Sequence, residues 1–594
     1  MPARRSIRDF WFCPCKNVLR GTTSLFIAAA GVFFLATISL MSQPVQHLST
    51  TQPGGMPGLP VMGGIERLTN SVQITWDGPS GYYQVYQKSN SLNAPWVALG
   101  HPTNLIRYAV ITKLYSNAFF RVSGPAPSYA GQKVCVACHA NICQYETNTP
   151  HASAFNNADY AAQGGRTNSL CLPCHTVGYG LPTGFTFTNK GGVFSYLTNL
   201  ANVQCENCHG PAANHAANPA DPTVVPRVEI AATVCGGCHT ASAVAHTNNA
   251  PTFEEWNSSE HASVTPEVLQ NMASSTNYIR SCGVCHSGSA RLAFISGTDP
   301  AVTLAKDYNV AITCVVCHDP HATNSNPAQL RGPLASTNDF QFVSADAASV
   351  AAFTNKFNAS ANINLCAQCH NDRGAVWTNT VYAPHFSSQY NFLLGAVGEL
   401  DNGPATFTPG SHAGLPIFAQ TSVSGKFYLT NQCVACHMQP DIAPATTHSH
   451  SFAVSYNVCL NCHDGQDAQS SLTLALSNQV ATVIFALNQW AATQTNPLLA
   501  SNRLVAWEYT TPGGLKWKTN SSGWVTGWSL ADSVNFTGPS DAGQALIPDN
   551  IKKARFDLYL VLNDGSLGVH NPNYAQALLG WSGALGFVVQ ELSQ

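Results

Sequence analysis

The chain has 594 residues, of which 45% are hydrophobic and only 10% charged, with a formal net charge of −3. A charged share so far below the ~25% of ordinary soluble domains, without any basic excess, argues against a nucleic-acid partner held by phosphate contacts. With 21 cysteines and 21 histidines, the chemistry must be sought in attachment and ligation.

Residues 1–42 hold Arg4, Arg5, Arg8, Lys16 and Arg20 against Asp9 alone, followed by an uncharged run from Gly21 to Ser42. A run of that length spans a hydrocarbon core as a helix, and its basic flank marks the cytoplasmic side. The segment is read as a signal peptide or membrane anchor, with no Ala-x-Ala site near Met41 to decide between them. The remainder is then exported, to the periplasm or the extracellular face, and can be tethered to the cytoplasmic membrane through residues 21–42. Cys13 and Cys15 precede the run and are read as incidental. Residues 43–63, rich in proline and glycine and free of charge, form a linker. From Ile65 to Gly124 come SVQITW, YYQVYQKS, WVAL and FFRVSG, with Asp77-Gly78-Pro79 among the intervening turns. This spacing predicts a small β-sandwich over 64–126, of the fibronectin type III kind, against the alternative of an irregular extension.

Between Cys135 and His463 the chain writes Cys-x-x-Cys-His nine times. The cysteine pairs are Cys135/Cys138, Cys171/Cys174, Cys205/Cys208, Cys235/Cys238, Cys282/Cys285, Cys314/Cys317, Cys366/Cys369, Cys433/Cys436 and Cys459/Cys462. The histidines that close them are His139, His175, His209, His239, His286, His318, His370, His437 and His463. In such a motif the thiols form thioethers to the haem vinyl groups and the imidazole binds the iron. Zinc ribbons also use Cys-x-x-Cys pairs, two per metal, but need no histidine behind each. A disulfide framework has no reason to repeat so short a loop. The pattern predicts nine covalently bound haem c groups over residues 127–465. At about 37 residues per haem the intervening chain is too short to bury large cores of its own. The macrocycles must supply much of the interior, with loops and short helices wrapped around a haem stack.

A haem with two protein ligands carries electrons, whereas one with an open position can bind and transform a substrate. Histidines outside the motifs therefore matter. Of His448 and His450, one is read as a ligand and His450 is favoured. The distal candidates are then His151, His215, His246, His261, His321, His385, His412, His450 and His570, as many as the motifs. Met272 and Met438 are the only methionines in the region, and Met438 directly follows His437, from where it cannot reach the far face of the same haem. Bis-histidine ligation is the default, with low potentials relative to His/Met haems. His47 and His101 lie before the haem region.

Residues 466–594 read as a helical section packing on the haem domain. SSLTLALSNQVATVIFALNQWAA predicts one long helix and IKKARFDLYLVL a second. Asn563-Asp564-Gly565 predicts a turn, and Asn571 an N-cap with Pro572 opening a third helix, NYAQALLGW, immediately after His570. The first 42 residues contribute +4, leaving −7. Nine haems with ionised propionates bring this to about −16 when ferric and −25 when ferrous. Redox partner proteins with basic docking patches are expected, their association weakened by salt.

KVCVACHANICQYETNTPHASAF and FEEWNSSEHASV resemble segments of the multihaem group that includes nitrifier tetrahaem cytochrome c, octahaem tetrathionate reductase and hydroxylamine oxidoreductase. CVVCHDPHAT and LNDGSLGVHNPNYAQALL are similar to bacterial multihaem cytochromes of the same grouping. The resemblance covers Tyr129 to Leu579. It implies a mostly irregular and α multihaem cytochrome fold with a haem-stacked core and C-terminal helices, here with a small N-terminal all-β domain added. It also implies parallel and perpendicular haem pairs, distal ligation by His151, His261 and His321, and a His570 that reaches back to a haem. The chain departs from its relatives in three ways. Every motif ends in His, where ammonia-forming nitrite reductases use one Lys; no tyrosine stands out as the cross-linked residue of hydroxylamine oxidation; and nine motifs exceed eight. Three readings follow: an extracytoplasmic electron-transfer cytochrome, an oxidoreductase acting on a small nitrogen or sulfur compound at one haem with an open distal site, or a structural unit of a cytochrome assembly or filament.

Overall fold

The computed structural model describes the strands at 36–39 and between 61 and 123, residues 128–303 apart from 182, 222–223, 227–229 and 241–250, residues 311–331 apart from 322–326, parts of 365–454, and residues 467–594 apart from 511–514, 520–524 and 531–537. The chain divides into two compact units, residues 1–140 with 153–229 and residues 141–152 with 230–594. The division runs through the predicted haem region instead of along its edges.

In the first unit, β1 (Ala36–Ser39), β2 (Val61–Leu68), β3 (Ser71–Asp77), β4 (Tyr83–Ser89), β5 (Val97–Thr103), β6 (Tyr108–Ile111) and β7 (Asn117–Ser123) are all antiparallel. They form a four-stranded sheet in the order β1-β7-β4-β5 and a three-stranded sheet in the order β2-β3-β6. Alternation buries Val72, Ile74 and Trp76 on one face of β3, and Val85 and Phe120 are buried on β4 and β7, the period of two that a half-covered strand requires. Of the predicted export segment only β1 is described, and among the described residues no helix is long and apolar enough to cross a membrane.

The described motifs lie on helical turns. Helix α1 (Gln132–Glu146) carries the first and bends at His139, where φ/ψ of −110°/34° leave the helical region. Turns Leu172–His175, Cys205–His209, Thr233–Gly236, Val284–His286, Cys314–Cys317 and Gln432–His437 carry others. One helical turn brings positions i, i+3 and i+4 to the same side, so two thiols and an imidazole converge as attachment demands. Two described apolar clusters between the turns are small. Phe155, Tyr160, Leu172, Val177, Phe185 and Leu200 form one in the first unit, and Val268, Met272, Ile279 and Ala290 another in the second. Glu206, inside the third motif, is buried and accepts backbone hydrogen bonds from Ala130 (3.0 Å), Gly131 (2.8 Å) and Ala212 (2.8 Å), fastening the start of α1 to that motif.

The C-terminal section has the three predicted helices, α2 (Asp467–Thr493), α3 (Asp549–Asn563) and α4 (Pro572–Leu579), and ends with α5 (Ala584–Leu592). A hairpin of β8 (Leu515–Thr519) and β9 (Val525–Leu530), which helical periodicity does not predict, lies between α2 and α3. The helices share one core built on Val483, Leu487, Trp507, Ile551, Leu560 and Leu578. Within it Arg555 donates to the Trp507 carbonyl (2.9 Å) and to Gln544 (2.7 Å), and Tyr559 donates to buried Glu508. The section is tied to the haem region by Asn563 Nδ2 to the Pro384 carbonyl (2.8 Å), Tyr574 Oη to the Val397 carbonyl (2.7 Å) and Asn571 Nδ2 to the Leu393 and Thr408 carbonyls (3.2 and 3.0 Å).

Candidate haem-binding sites

Eight of the nine motifs lie among the described residues; Cys459, Cys462 and His463 of the ninth, with the candidates His246 and His448, do not. An imidazole nitrogen sits about 2.0–2.1 Å from a first-row metal, and the ring centroid roughly 1.1 Å behind it, so two trans imidazoles put their centroids about 6.2 Å apart. Six motif histidines face a second histidine at that spacing. His139 faces His215 at 6.4 Å, His239 faces His151 at 6.1 Å and His286 faces His385 at 5.9 Å. His318 faces His450 at 6.2 Å, His370 faces His261 at 6.2 Å and His437 faces His570 at 6.1 Å. Ring planes within a pair differ by 31° to 73°, so these are not stacked rings, which would approach more closely and lie parallel. Among the described residues no three His, Cys, Asp or Glu side chains converge as a protein-only metal site would need. Histidines in facing pairs beside two thiols fit an iron porphyrin.

Each pair brings distant sequence together. His151 and His261 stand on 3-10 turns, Pro150–Ser153 and Glu260–Ala262, the repeated H-A-S device visible in the sequence. His450 is placed by its backbone N–H, which donates to Glu255 at 2.8 Å. His385 is held by its N–H to the Gly374 carbonyl at 2.7 Å. His570 sits in the loop between α3 and α4, where Gly568 takes φ +84° and a Cβ would meet Leu476 at 2.7 Å. Burial, with His370 beside it, pushes His261 down to about 4. Burial lowers His151, His239, His286 and His437 likewise. A neutral imidazole keeps the lone pair that a metal takes.

The other ring nitrogen is fixed by hydrogen bonds. Nδ1 of His175 donates to the Ala154 carbonyl (2.8 Å), of His318 to Ala328 (2.7 Å), of His437 to Phe452 (3.0 Å) and of His412 to Val569 (2.5 Å). His370 Nδ1 meets Gln389 Oε1 at 3.1 Å, and His570 Nδ1 meets Asp564 Oδ1 at 2.7 Å. A carbonyl or carboxylate oxygen can only accept, so Nδ1 carries the proton and Nε2 is left for iron. Sequence reasoning missed these second partners, Asp564 and Gln389 among them; the only signal for Asp564 is its place six residues before His570. His175 also lies flat on Tyr160, with centroids 4.1 Å apart and planes 8° apart. His209 closes the turn Cys205–His209. His321 carries a backbone N–H bond to Asp319 at 3.1 Å.

Thiols of different motifs meet. In the first unit Cys135 contacts Cys205, joining the first motif to the third. In the second, Cys235 contacts Cys314, Cys369 contacts Cys285 and Cys366 contacts Cys433. These join the fourth motif to the sixth, the seventh to the fifth and the seventh to the eighth. Cys317 lies within electrostatic range of Cys366, which relates the sixth to the seventh.

Cys138 is exposed, and Cys174, Cys208 and Cys238, like the other described motif cysteines, are only half-buried. Neither these four nor any other described cysteine is in a disulfide.

Residues 134–210, spanning the first three motifs, match the family model for cytochrome c554 and c-prime. No curated protein matches the chain. Among solved structures it is similar to the undecahaem cytochrome from the S-layer of Carboxydothermus ferrireducens, at 19% identity over 78% of this chain and 70% of that one, with a TM-score of 0.46. It is also similar to the outer cell wall cytochrome OcwA, at 18% identity over 78% of this chain and 99% of that one, again with a TM-score of 0.46.

Proposed function

We propose that this multihaem c-type cytochrome is an exported electron carrier that holds nine haems, most of them between two histidines, and passes electrons among them. The observation that carries this reading is the set of six histidine pairs at 5.9–6.4 Å. Two imidazoles per iron leave no position for a substrate, and electron transfer is the chemistry that remains. The meeting thiols support a path, because each thiol hangs a porphyrin edge from its motif. In the second unit that path links the fourth, sixth, seventh and eighth haems in that spatial order, with the fifth joining at the seventh. The apolar run from Gly21 to Ser42 serves export, and the strands over 64–126 form a sandwich-like domain apart from the redox work. The partner is a redox protein with a basic docking patch that complements the negative charge of the haem-loaded chain.

Carbon monoxide tests the assignment. Added to the fully reduced protein, it is expected to leave the Soret bands of the six paired haems unshifted, and His570→Ala is expected to create one high-spin haem with no loss of covalent haem. A native protein in which one of the six binds carbon monoxide would overturn the reading and give the alternative, an oxidoreductase for a small nitrogen or sulfur compound, its site. A mass corresponding to fewer than nine haems would correct the count.

A further inference from the structure

We infer that Asp564 is a positioning residue that sets the potential of the eighth haem, tethered at Cys433 and Cys436, below that of its neighbour the seventh. This inference rests on the proposed ligation of that haem by His437 and His570. Of the six ring hydrogen bonds described above, five end on neutral oxygens and one on a carboxylate. The Asp564 side chain has no exposed surface and stands 2.7 Å from His570 Nδ1. Its other oxygen accepts from Ser566 Oγ, and Ser566 Oγ also accepts the His570 backbone N–H at 3.1 Å. Carboxylate, hydroxyl and imidazole are thus fixed within one seven-residue loop. On the seventh haem the corresponding contact is the neutral amide oxygen of Gln389, 3.1 Å from His370.

A carboxylate that accepts the Nδ1 proton makes Nε2 a more basic donor, as it does for other metal-bound histidines. A more basic donor, with a buried negative charge close by, stabilises ferric iron over ferrous iron, and hydrogen bonding and local charge are established controls of haem potential. An amide oxygen does the same more weakly. Electrons passing between the two neighbours therefore run downhill from the eighth to the seventh: one iron is oxidised, the other reduced by the same electron, and His570 keeps its proton throughout. The eighth haem becomes an entry end of the path, not a resting place for charge.

Asp564→Asn keeps the size and removes the charge. In an EPR-monitored reductive titration of the full-length haem-loaded protein, the haem to follow is the one that His570→Ala converts to high spin. Its ferric-to-ferrous ratio at a given potential is expected to fall at least tenfold in Asp564→Asn, a rise of 59 mV for one electron, while the other haems stay where they were. Should Asp564→Asn fail to retain its haems, Ser566→Ala decides the matter with the opposite sign: the carboxylate loses a competing donor and the same haem should move to lower potential. If His570→Ala makes no high-spin haem, the ligation itself is wrong. If it does, but the followed haem keeps its potential in Asp564→Asn, or in Ser566→Ala where that variant decides, Asp564 is a structural loop residue and the inference fails alone.

Discussion

Between Asp467 and Leu592 the chain covers its interior with its own side chains: Trp507, Ile551, Leu558, Tyr559, Leu560 and Leu578 are all 0% exposed. Between Gln132 and His450 the described clusters that stand apart from that core hold a few residues each, and imidazoles face one another across gaps the width of a ligated iron. The first region is an ordinary close-packed core; the second is a shell cut to the shape of something the polypeptide does not encode. The difference teaches that low regular structure can be a design for a prosthetic interior and not a want of order.

The sharpest way to break this comparison is to withhold haem. Expressed without thioether attachment, the region between the motifs should be digested by limited proteolysis while α2 to α5 persist as a resistant fragment. Equal resistance of both regions would mean that porphyrins do not complete the core. Next in size is a cavity in the self-sufficient region. Leu560→Ala should cost about 2–5 kcal/mol in denaturant unfolding followed by far-UV circular dichroism, with the haem visible spectrum unchanged below the transition. A loss of haem signal at the same denaturant concentration would show that the two regions melt as one.

Glu508 gives a comparable effect with a pH signature. Burial raises it to about 7 from 4.5, against the opposing pull of Tyr559, the Tyr509 amide and Arg555. Between those values the folded chain holds a proton that the unfolded chain has released. Its contribution is fully present below pH 4.5 and is lost as pH rises through 7, a swing of about 3 kcal/mol. Glu508→Gln should remove that swing, gaining stability over the native chain at pH 8 relative to pH 5. An unchanged difference between the two pH values would mean the carboxyl is not held neutral. Smallest is the junction: Asn571→Ala loses the cap on α4, where its side chain accepts from the Tyr574 N–H at 3.4 Å, at about 1 kcal/mol. If the cap also steadies His570, a minor high-spin population should appear in the same variant.

What could be read in advance follows the range of the physics. Haem attachment is chemistry within five residues, so all nine motifs were legible. Helices α2, α3 and α4 were legible because 3.6-residue periodicity is local, and the Asn571 cap because capping spans three residues. The hairpin at 515–530 was not, since its cross-strand pair of Trp517 and Trp528 lies within a stretch whose flanks read as helix. Six of the candidate distal histidines that counting singles out face a motif histidine, and these partners were invisible. His261 belongs with His370, and His318 with His450, more than a hundred residues away, and nothing local records such a match. Asp564 was read as part of a turn, which it is, while its carboxylate also faces an imidazole.

Gly165 carries a last consequence. A Cβ there would fall 2.2 Å from the Tyr160 ring, the ring that lies flat on His175 and whose hydroxyl is anchored to the Gly165 carbonyl at 2.7 Å. A missing methyl group ten positions upstream thus sets the compass bearing of the His175 imidazole, the ring that would bind the iron of the second motif. A haem held by His175 would in effect inherit its magnetic anisotropy from that glycine.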